Sequence, residues 1–154
     1  MAIYYADSSV LVKRHVNETG SAWFRALVDP SSGNDIITSR VSLVEVYSAF
    51  NRRAREALLS NKDYKQIADD FAAICSAEYS IVEFTEPVIE RSRLMLERHQ
   101  LRAYYAIQLA SALMSADALQ VSGLPAPIFS AADDRLLNAA NAEGLMIDNP
   151  NTHP

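Results

Sequence analysis

The sequence predicts an α/β fold, with a three-layer α/β/α arrangement around a mainly parallel β-sheet. Short apolar runs typical of strands alternate with longer helical patterns along the whole chain. Two of these strands end at an acidic residue that a helical segment follows at once, first at Asp7 and again at Asp133. A single domain is expected over residues 1–148, with a frayed tail at residues 149–154.

The first half of the chain contains two predicted strands and four predicted helices. Strands are expected at residues 3–6 and 35–38, and helices from Ser8 or Ser9 and at residues 22–28, 41–59 and 62–77. Pro30 ends the second helix, and the polar residues 31–34 are typical of a turn.

The second half repeats this alternation. Strands are expected at residues 80–84, 128–131 and 145–148, and helices from Thr85, at residues 101–114 and from Asp133. Pro87 lies in the first turn of its helix, where proline is well tolerated. The helix at residues 101–114 is rich in alanine and nearly uncharged, which predicts a central, closely packed position.

The composition is typical of a globular protein. The chain has 154 residues, 49% of them hydrophobic, which suffices for a buried core. No apolar run is long enough to cross a membrane and no signal-peptide pattern is present, so a cytoplasmic location is expected. The only cysteine, Cys75, excludes an internal disulfide and a thiolate metal cage, and its apolar neighbours predict a buried thiol.

The net charge of −5 argues against a protein that binds nucleic acid by overall electrostatics. The cations are nevertheless clustered, at Arg52, Arg53 and Arg55 and again at Arg91, Arg93, Arg98 and Arg102. Local basic surfaces could therefore contact phosphates, although a solvated helix face is the commoner origin of such clusters.

Three acidic residues are candidates for one site. Asp7 and Asp133 follow strands, and Glu45 lies within an otherwise apolar helix turn, where a carboxylate is costly unless exposed, paired or bound to a cation. Helix capping by Asp7 and surface exposure of Glu45 are the simpler alternatives. Clustered carboxylates would favour Mg²⁺ or Mn²⁺ and phosphodiester hydrolysis, whereas the three histidines lack the spacing of a zinc site.

Four motifs in order resemble those of the PIN-domain ribonucleases, most closely the VapC-type toxins of toxin–antitoxin pairs. They are residues 7–13 (DSSVLVK) with Glu18, Gly20 and Ser21, residues 42–46 (SLVEV), residues 101–110 (LRAYYAIQLA) and residues 130–136 (SAADDRL). The resemblance covers residues 3–147. It implies an α/β/α domain that cuts RNA with a Mg²⁺- or Mn²⁺-binding acid cluster and that an antitoxin blocks.

The resemblance assigns the site by position. Asp7, Glu45 and Asp133 become the catalytic metal-binding acids, with Asp133 preferred to Asp134 because it stands three residues before Leu136. Ser8, Ser9 and Ser130 fall where the family often places hydroxyls near the metal or phosphate, and Asp134 is a further accessory candidate. Ordinary helix capping accounts equally well for each serine.

Tyr105 departs from the family pattern, which has a metal-binding aspartate between Tyr104 and Ala106. A phenol with an unperturbed pKa of about 10 is neutral in cells and a poor ligand for a hard cation, so weaker metal binding and slower catalysis are expected. The residue could belong to a naturally weakened member or arise during cloning of a toxic nuclease. Alternatively, the remaining acids and waters could still hold an ion.

The leading hypothesis is therefore a metal-dependent ribonuclease toxin impaired at Tyr105, with RNA, an antitoxin and a second copy of the chain as partners. Lys13 and the arginines are candidate phosphate contacts. The alternative is a non-catalytic PIN module that binds RNA or an antitoxin. A receiver-like phosphoacceptor domain would share the strand-end acids, but it needs a late lysine and none follows Lys65.

Overall fold

The computed structural model describes all 154 residues. Its sheet has five strands in the order β3-β2-β1-β4-β5, and every neighbouring pair is parallel. The strands are β1 Ile3–Ala6, β2 Asp35–Ser39, β3 Tyr79–Val82, β4 Ile128–Ser130 and β5 Ile147–Asp148. The predicted α/β class with a parallel sheet is confirmed.

Seven α-helices connect the strands. They are α1 Ser8–Leu11, α2 Ser21–Leu27, α3 Arg40–Arg55, α4 Asn61–Ala77, α5 Glu86–Arg98, α6 Ala103–Val121 and α7 Asp134–Ala142, with short 3-10 turns at Val12–Arg14, Pro30–Ser32 and Pro150–Thr152. None of the helices combines the length and the apolar character that crossing a bilayer requires. Cys75 is buried in α4, as its neighbours predict.

The helices form layers on both faces of the sheet. One core joins Tyr5 and Phe129, whose rings stack at 5.4 Å, to α5, α6 and α7. The other joins Ile36 to α1, α2, α3 and α4 through residues such as Phe50 and Phe71. Strands β1 and β2 contribute residues to both cores, so each is covered on both faces, which is why neighbouring residues along them are apolar without alternation.

Two helices end where the apolar pattern does not predict it. Helix α3 stops at Arg55 rather than at residue 59, because Ala57 adopts a left-handed conformation with φ of 57°. Helix α6 continues seven residues beyond Met114 to Val121, since no strong helix breaker occurs before Gly123.

The last six residues contact the domain through Pro150 and His153, while Asn151, Thr152 and Pro154 are exposed. Pro150 is buried, and the His153 ring stacks on Trp23 at 4.5 Å. The Lys13 ammonium, only 4% exposed, donates to Asn151 Oδ1 at 3.0 Å as well as to Glu18 and the Thr19 carbonyl. The Lys13 ammonium thus joins the segment at Glu18 and Thr19 to the C-terminal tail, and these three bonds occupy its donors, so it is not free to contact a phosphate.

Gly20 allows the backbone of the C-terminal tail to pack directly against it at Pro150. Its φ is +86°, and a Cβ there would stand 2.4 Å from the Pro150 carbonyl oxygen. We expect Gly20→Ala to lower the free energy of unfolding by about 2–3 kcal/mol, through backbone strain and displacement of the tail. Urea denaturation measures this.

Gly144→Ala is the matched control. Gly144 has a similar φ of +95°, but a Cβ at this position would meet no atom within 4 Å. Strain alone should cost about 1 kcal/mol there. Equal losses for the two variants would contradict the packing of the tail on Gly20.

Candidate active-site cleft

The three predicted acids reach one cleft because of the strand order. Strand β1 lies between β2 and β4, so the segments that follow these three strands meet at the carboxyl edge of the sheet. Asp7 follows β1, Glu45 lies in the second turn of α3 after β2, and Asp133 follows β4. All three line a cleft of about 880 Å³ together with Tyr105.

Asp7 is the most buried of these acids, with 3% of its surface exposed. Its Oδ1 accepts hydrogen bonds from the Ser9 hydroxyl at 2.5 Å and from the Val10 amide at 3.3 Å, so Asp7 also caps α1. Burial, and then the negative charge of Glu45, raise the pKa of Asp7 to about 7. Its Oδ2 has no hydrogen-bond partner and is not enclosed by protein.

Glu45 is held in a similar way through one oxygen. Its Oε2 accepts from the Ser8 hydroxyl at 2.6 Å and from Gln108 Nε2 at 3.4 Å, while Oε1 has no partner. Partial burial raises the pKa of Glu45, against the effect of the two hydrogen bonds. Glu45 is therefore neither fully exposed nor ion-paired, and its free oxygen is available to a ligand.

Gln108 is a site residue that the sequence patterns do not single out. It is 1% exposed on α6, accepts from the Tyr5 hydroxyl at 2.6 Å and donates to Ser42 Oγ at 2.9 Å. These contacts direct its amide toward Glu45. The only signal in the sequence is an amide on an otherwise apolar helix segment, since its partners lie far away in the chain.

Asp133 differs from the other two acids because both of its oxygens are engaged. Oδ1 accepts from the Leu136 amide at 3.1 Å and so caps α7, and Oδ2 accepts from the Tyr105 hydroxyl at 3.2 Å. Partial burial and then the charge of Asp133 raise the pKa of Tyr105, so the phenol is neutral and acts as a donor. Tyr105, which stands where the family motif has an aspartate, therefore leaves Asp133 without a free carboxylate oxygen.

The accessory candidates separate into three kinds. Ser8 and Ser9 hold Glu45 and Asp7 rather than capping helices, and Ser9 Oγ also accepts from the Ala132 amide at 3.0 Å. Ser130 Oγ is buried without a partner at the same edge of the sheet. Asp134 accepts from Asn149 Nδ2 at 3.1 Å and does not line the cleft.

The carboxylate oxygens of the cleft meet some of the requirements of a site for a hard divalent cation. They are all oxygens, the ligands that Mg²⁺ prefers, and Mg²⁺ commonly needs only one or two carboxylates because it keeps several waters. The free oxygens of Asp7 and Glu45 meet that requirement. No three acidic, histidine or cysteine side chains form a group close enough to hold one ion, so the three-acid cluster is incomplete in this arrangement.

The family model of the PIN domain matches residues 4–141. This match covers most of the chain and includes all three acids, so the chain belongs to the PIN-domain family. The expected resemblance is confirmed at the level of the family.

The relatives identify the branch of that family. Ribonucleases VapC45 and VapC49 from two strains of Mycobacterium tuberculosis are each 30% identical over 147 residues, which is 96% of this chain and 95% of theirs. The chain is thus a VapC-type member, related to ribonucleases along nearly its whole length.

Solved structures show the same fold at low sequence identity. M. tuberculosis VapC20, a sarcin-ricin loop cleaving toxin, has a TM-score of 0.63 at 19% identity over 94% of this chain and 97% of its own. VapBC2 from Rickettsia felis, bound to a promoter DNA fragment, has a TM-score of 0.63 at 13% identity, over 96% of this chain and 98% of its own. FitAB bound to a DNA fragment has a TM-score of 0.64 at 14% identity, over 96% of this chain and 94% of its own.

Proposed function

We propose that this protein is the ribonuclease toxin of a toxin–antitoxin pair, that its hydrolysis of RNA needs Mg²⁺ or Mn²⁺, and that Tyr105 weakens it. One observation carries the proposal: Asp7 and Glu45 line the cleft and each has one carboxylate oxygen without a protein partner, whereas both oxygens of Asp133 are engaged, one of them by Tyr105. The first two acids therefore have an oxygen available for a ligand, whereas the third does not.

The residues of the cleft prepare this chemistry. Asp7 and Glu45 would hold the ion, which when bound supplies activation of water and compensation of charge on the phosphate. Ser9 orients Asp7, while Ser8 and Gln108 orient Glu45. Because the pKa of Asp7 is raised to about 7, binding of a cation releases a proton from part of the population at neutral pH.

A cognate antitoxin and self-association complete the proposal. A toxin–antitoxin complex from Klebsiella pneumoniae shares the fold, with a TM-score of 0.58 at 17% identity, and this supports an antitoxin partner here. Val44, 64% exposed, and Tyr104, 40% exposed, provide apolar surface beside the acids on which an amphipathic antitoxin segment could dock. We also propose a homodimer, and a cytoplasmic location where RNA is accessible.

The hydrogen bond between Tyr105 and Asp133 favours one alternative. If the engaged acid removes catalysis altogether, the protein is a non-catalytic module that binds RNA or sequesters an antitoxin. The two functions share the fold and the partners, so they differ only in whether RNA is cut.

Inducible expression in a bacterial host tests the toxin function. We expect the natural chain to be tolerated and Tyr105→Asp to arrest growth, because the substitution adds a carboxylate and frees Asp133. Adding Asp7→Asn to the Tyr105→Asp chain should restore growth at an equal level of protein. Arrest that persists with Asp7→Asn, or the absence of arrest with Tyr105→Asp, would contradict the proposal.

A further inference from the structure

The arginines of this acidic protein fall into two groups. Most have a carboxylate or carbonyl partner, as in the pairs of Arg53 with Glu18 at 2.5 Å and Arg98 with Glu143 at 2.9 Å. The arginines without any hydrogen-bond or ion-pair partner are Arg52, Arg55, Arg102 and Arg135, all exposed. These guanidinium groups are free to bind an external anion.

Three of the four free arginines line cavities that adjoin one another. Arg52 and Arg102 both line the acidic cleft, and Arg52 also lines a neighbouring cavity of about 660 Å³ that shares Ser9 with the cleft. Arg135 lines a third cavity of about 350 Å³, which includes Leu101, the residue next to Arg102. Arg55 lines none of them.

Arg52 and Arg102 therefore stand at the acidic cleft itself, and Arg135 stands at a cavity beside it. Tyr104, 40% exposed, lines the cleft directly after Arg102 and Ala103. Guanidinium groups bind phosphates in a bidentate manner, and an exposed aromatic ring stacks on an unpaired base. This combination matches a single RNA strand better than an acidic peptide, which has no base to stack.

We infer that Arg52, Arg102 and Arg135 form an arginine track that holds the backbone of a single RNA strand on both sides of Asp7 and Glu45. The inference rests on the proposed function and adds to it the residues that position the substrate. In this arrangement Arg102 and Arg52 flank the reacting phosphate, and Arg135 contacts the strand farther away. The remaining basic surface takes no part.

Fluorescence anisotropy with a labelled single-stranded RNA of about 12 nucleotides, a length typical of such sites, tests the track. The natural chain is titrated in EDTA at several salt concentrations, so that no cutting interferes. Each of Arg52→Ala, Arg102→Ala and Arg135→Ala should weaken binding roughly two- to fivefold. Each should also lower the slope of log affinity against log salt by about 0.7, the value for one lost contact to a single strand.

Arg55→Ala is the matched control, because Arg55 is an exposed and unpaired arginine on the same helix as Arg52. It should leave the affinity and the slope unchanged. A loss with Arg55→Ala equal to that with Arg52→Ala would show diffuse attraction and overturn the track. Displacement of the RNA by polyglutamate, with the same dependence on the three arginines, would overturn RNA as the occupant.

The track and the proposed function can fail separately. If the chain binds RNA and Tyr105→Asp cuts it, but the three track variants bind like the natural chain, only the track is wrong. If the natural chain binds no RNA and Tyr105→Asp cuts none, both are wrong. In the Tyr105→Asp chain the track variants should raise KM and leave kcat within about twofold, as expected when binding contributes equally to ground and transition states.

Discussion

Replacing Tyr105 with aspartate is expected to raise kcat/KM for RNA cleavage by at least about 100-fold in Mg²⁺ or Mn²⁺. Loss of an outer-shell partner of a metal site typically costs 10- to 100-fold, so the gain of a direct carboxylate ligand should reach or exceed that range. The substitution also removes the hydroxyl that engages Asp133 Oδ2. A gel assay of a defined RNA measures the rate, and EDTA should abolish it.

Two other substitutions separate these effects. Tyr105→Phe removes the hydrogen bond to Asp133 without adding a ligand, and Tyr105→Asn matches the size of aspartate without its charge. Both should stay within about tenfold of the natural chain, since neither supplies a carboxylate to a hard cation. If Tyr105→Asp cuts no faster than Tyr105→Asn at saturating metal, Tyr105 is not the cause of the weak activity.

Asp7→Asn is expected to raise the free energy of unfolding at pH 8 in metal-free buffer. The folded-state pKa of Asp7 is about 7, against 3.8 for an exposed aspartate, a difference of about three units that corresponds to on the order of 4 kcal/mol. The neutral amide avoids the cost of a buried charge beside Glu45. It can still accept from Ser9 and Val10 through its carbonyl oxygen.

The direction of this effect with pH follows from linkage. Below pH 4 both states hold the Asp7 proton, whereas between pH 4 and 7 the unfolded state releases it first, so stability falls as the pH rises toward 7. The advantage of Asp7→Asn should therefore be absent at pH 4 and complete at pH 8, as measured by urea denaturation.

Asp134→Asn provides the control, because Asp134 is exposed at the start of α7 outside the cleft. It should change stability by less than about 0.5 kcal/mol at any pH. Addition of Mg²⁺ at pH 8 should stabilise the natural chain more than Asp7→Asn. An Asp7→Asn chain that is less stable than the natural one at pH 8 would show that the Asp7 carboxylate is not under electrostatic strain.

The position of the acids could be predicted because it depends on local patterns. A strand that ends at an aspartate and continues into a helix places that aspartate at the carboxyl edge of a parallel sheet. Asp7 and Asp133 follow this rule, and both also cap the helices after them, so the simpler interpretation and the functional one are compatible. The role of these acids as metal ligands stays a prediction.

The contacts that join distant segments could not be predicted from the sequence. The bonds from Ser8 and Gln108 to Glu45 link three elements, and no local pattern specifies such pairs. The same is true of the bond from Lys13 to Asn151, which buries a cation that the sequence suggested was on the surface and attaches the polar C-terminal tail to the domain. Tyr105 was identified as a departure, but its hydrogen bond to Asp133 depends on the packing of α6 beside α7.

A crystal of the Tyr105→Asp chain soaked in Mn²⁺ tests the central claim most directly. An anomalous difference map should show an ion at about 2.1–2.2 Å from carboxylate oxygens of both Asp7 and Glu45, close to the distances of octahedral oxygen sites. The same soak of the natural chain should give a weaker peak at that position. A cleft without an ion in the Tyr105→Asp crystal, or an ion bound away from Asp7 and Glu45, would contradict the account.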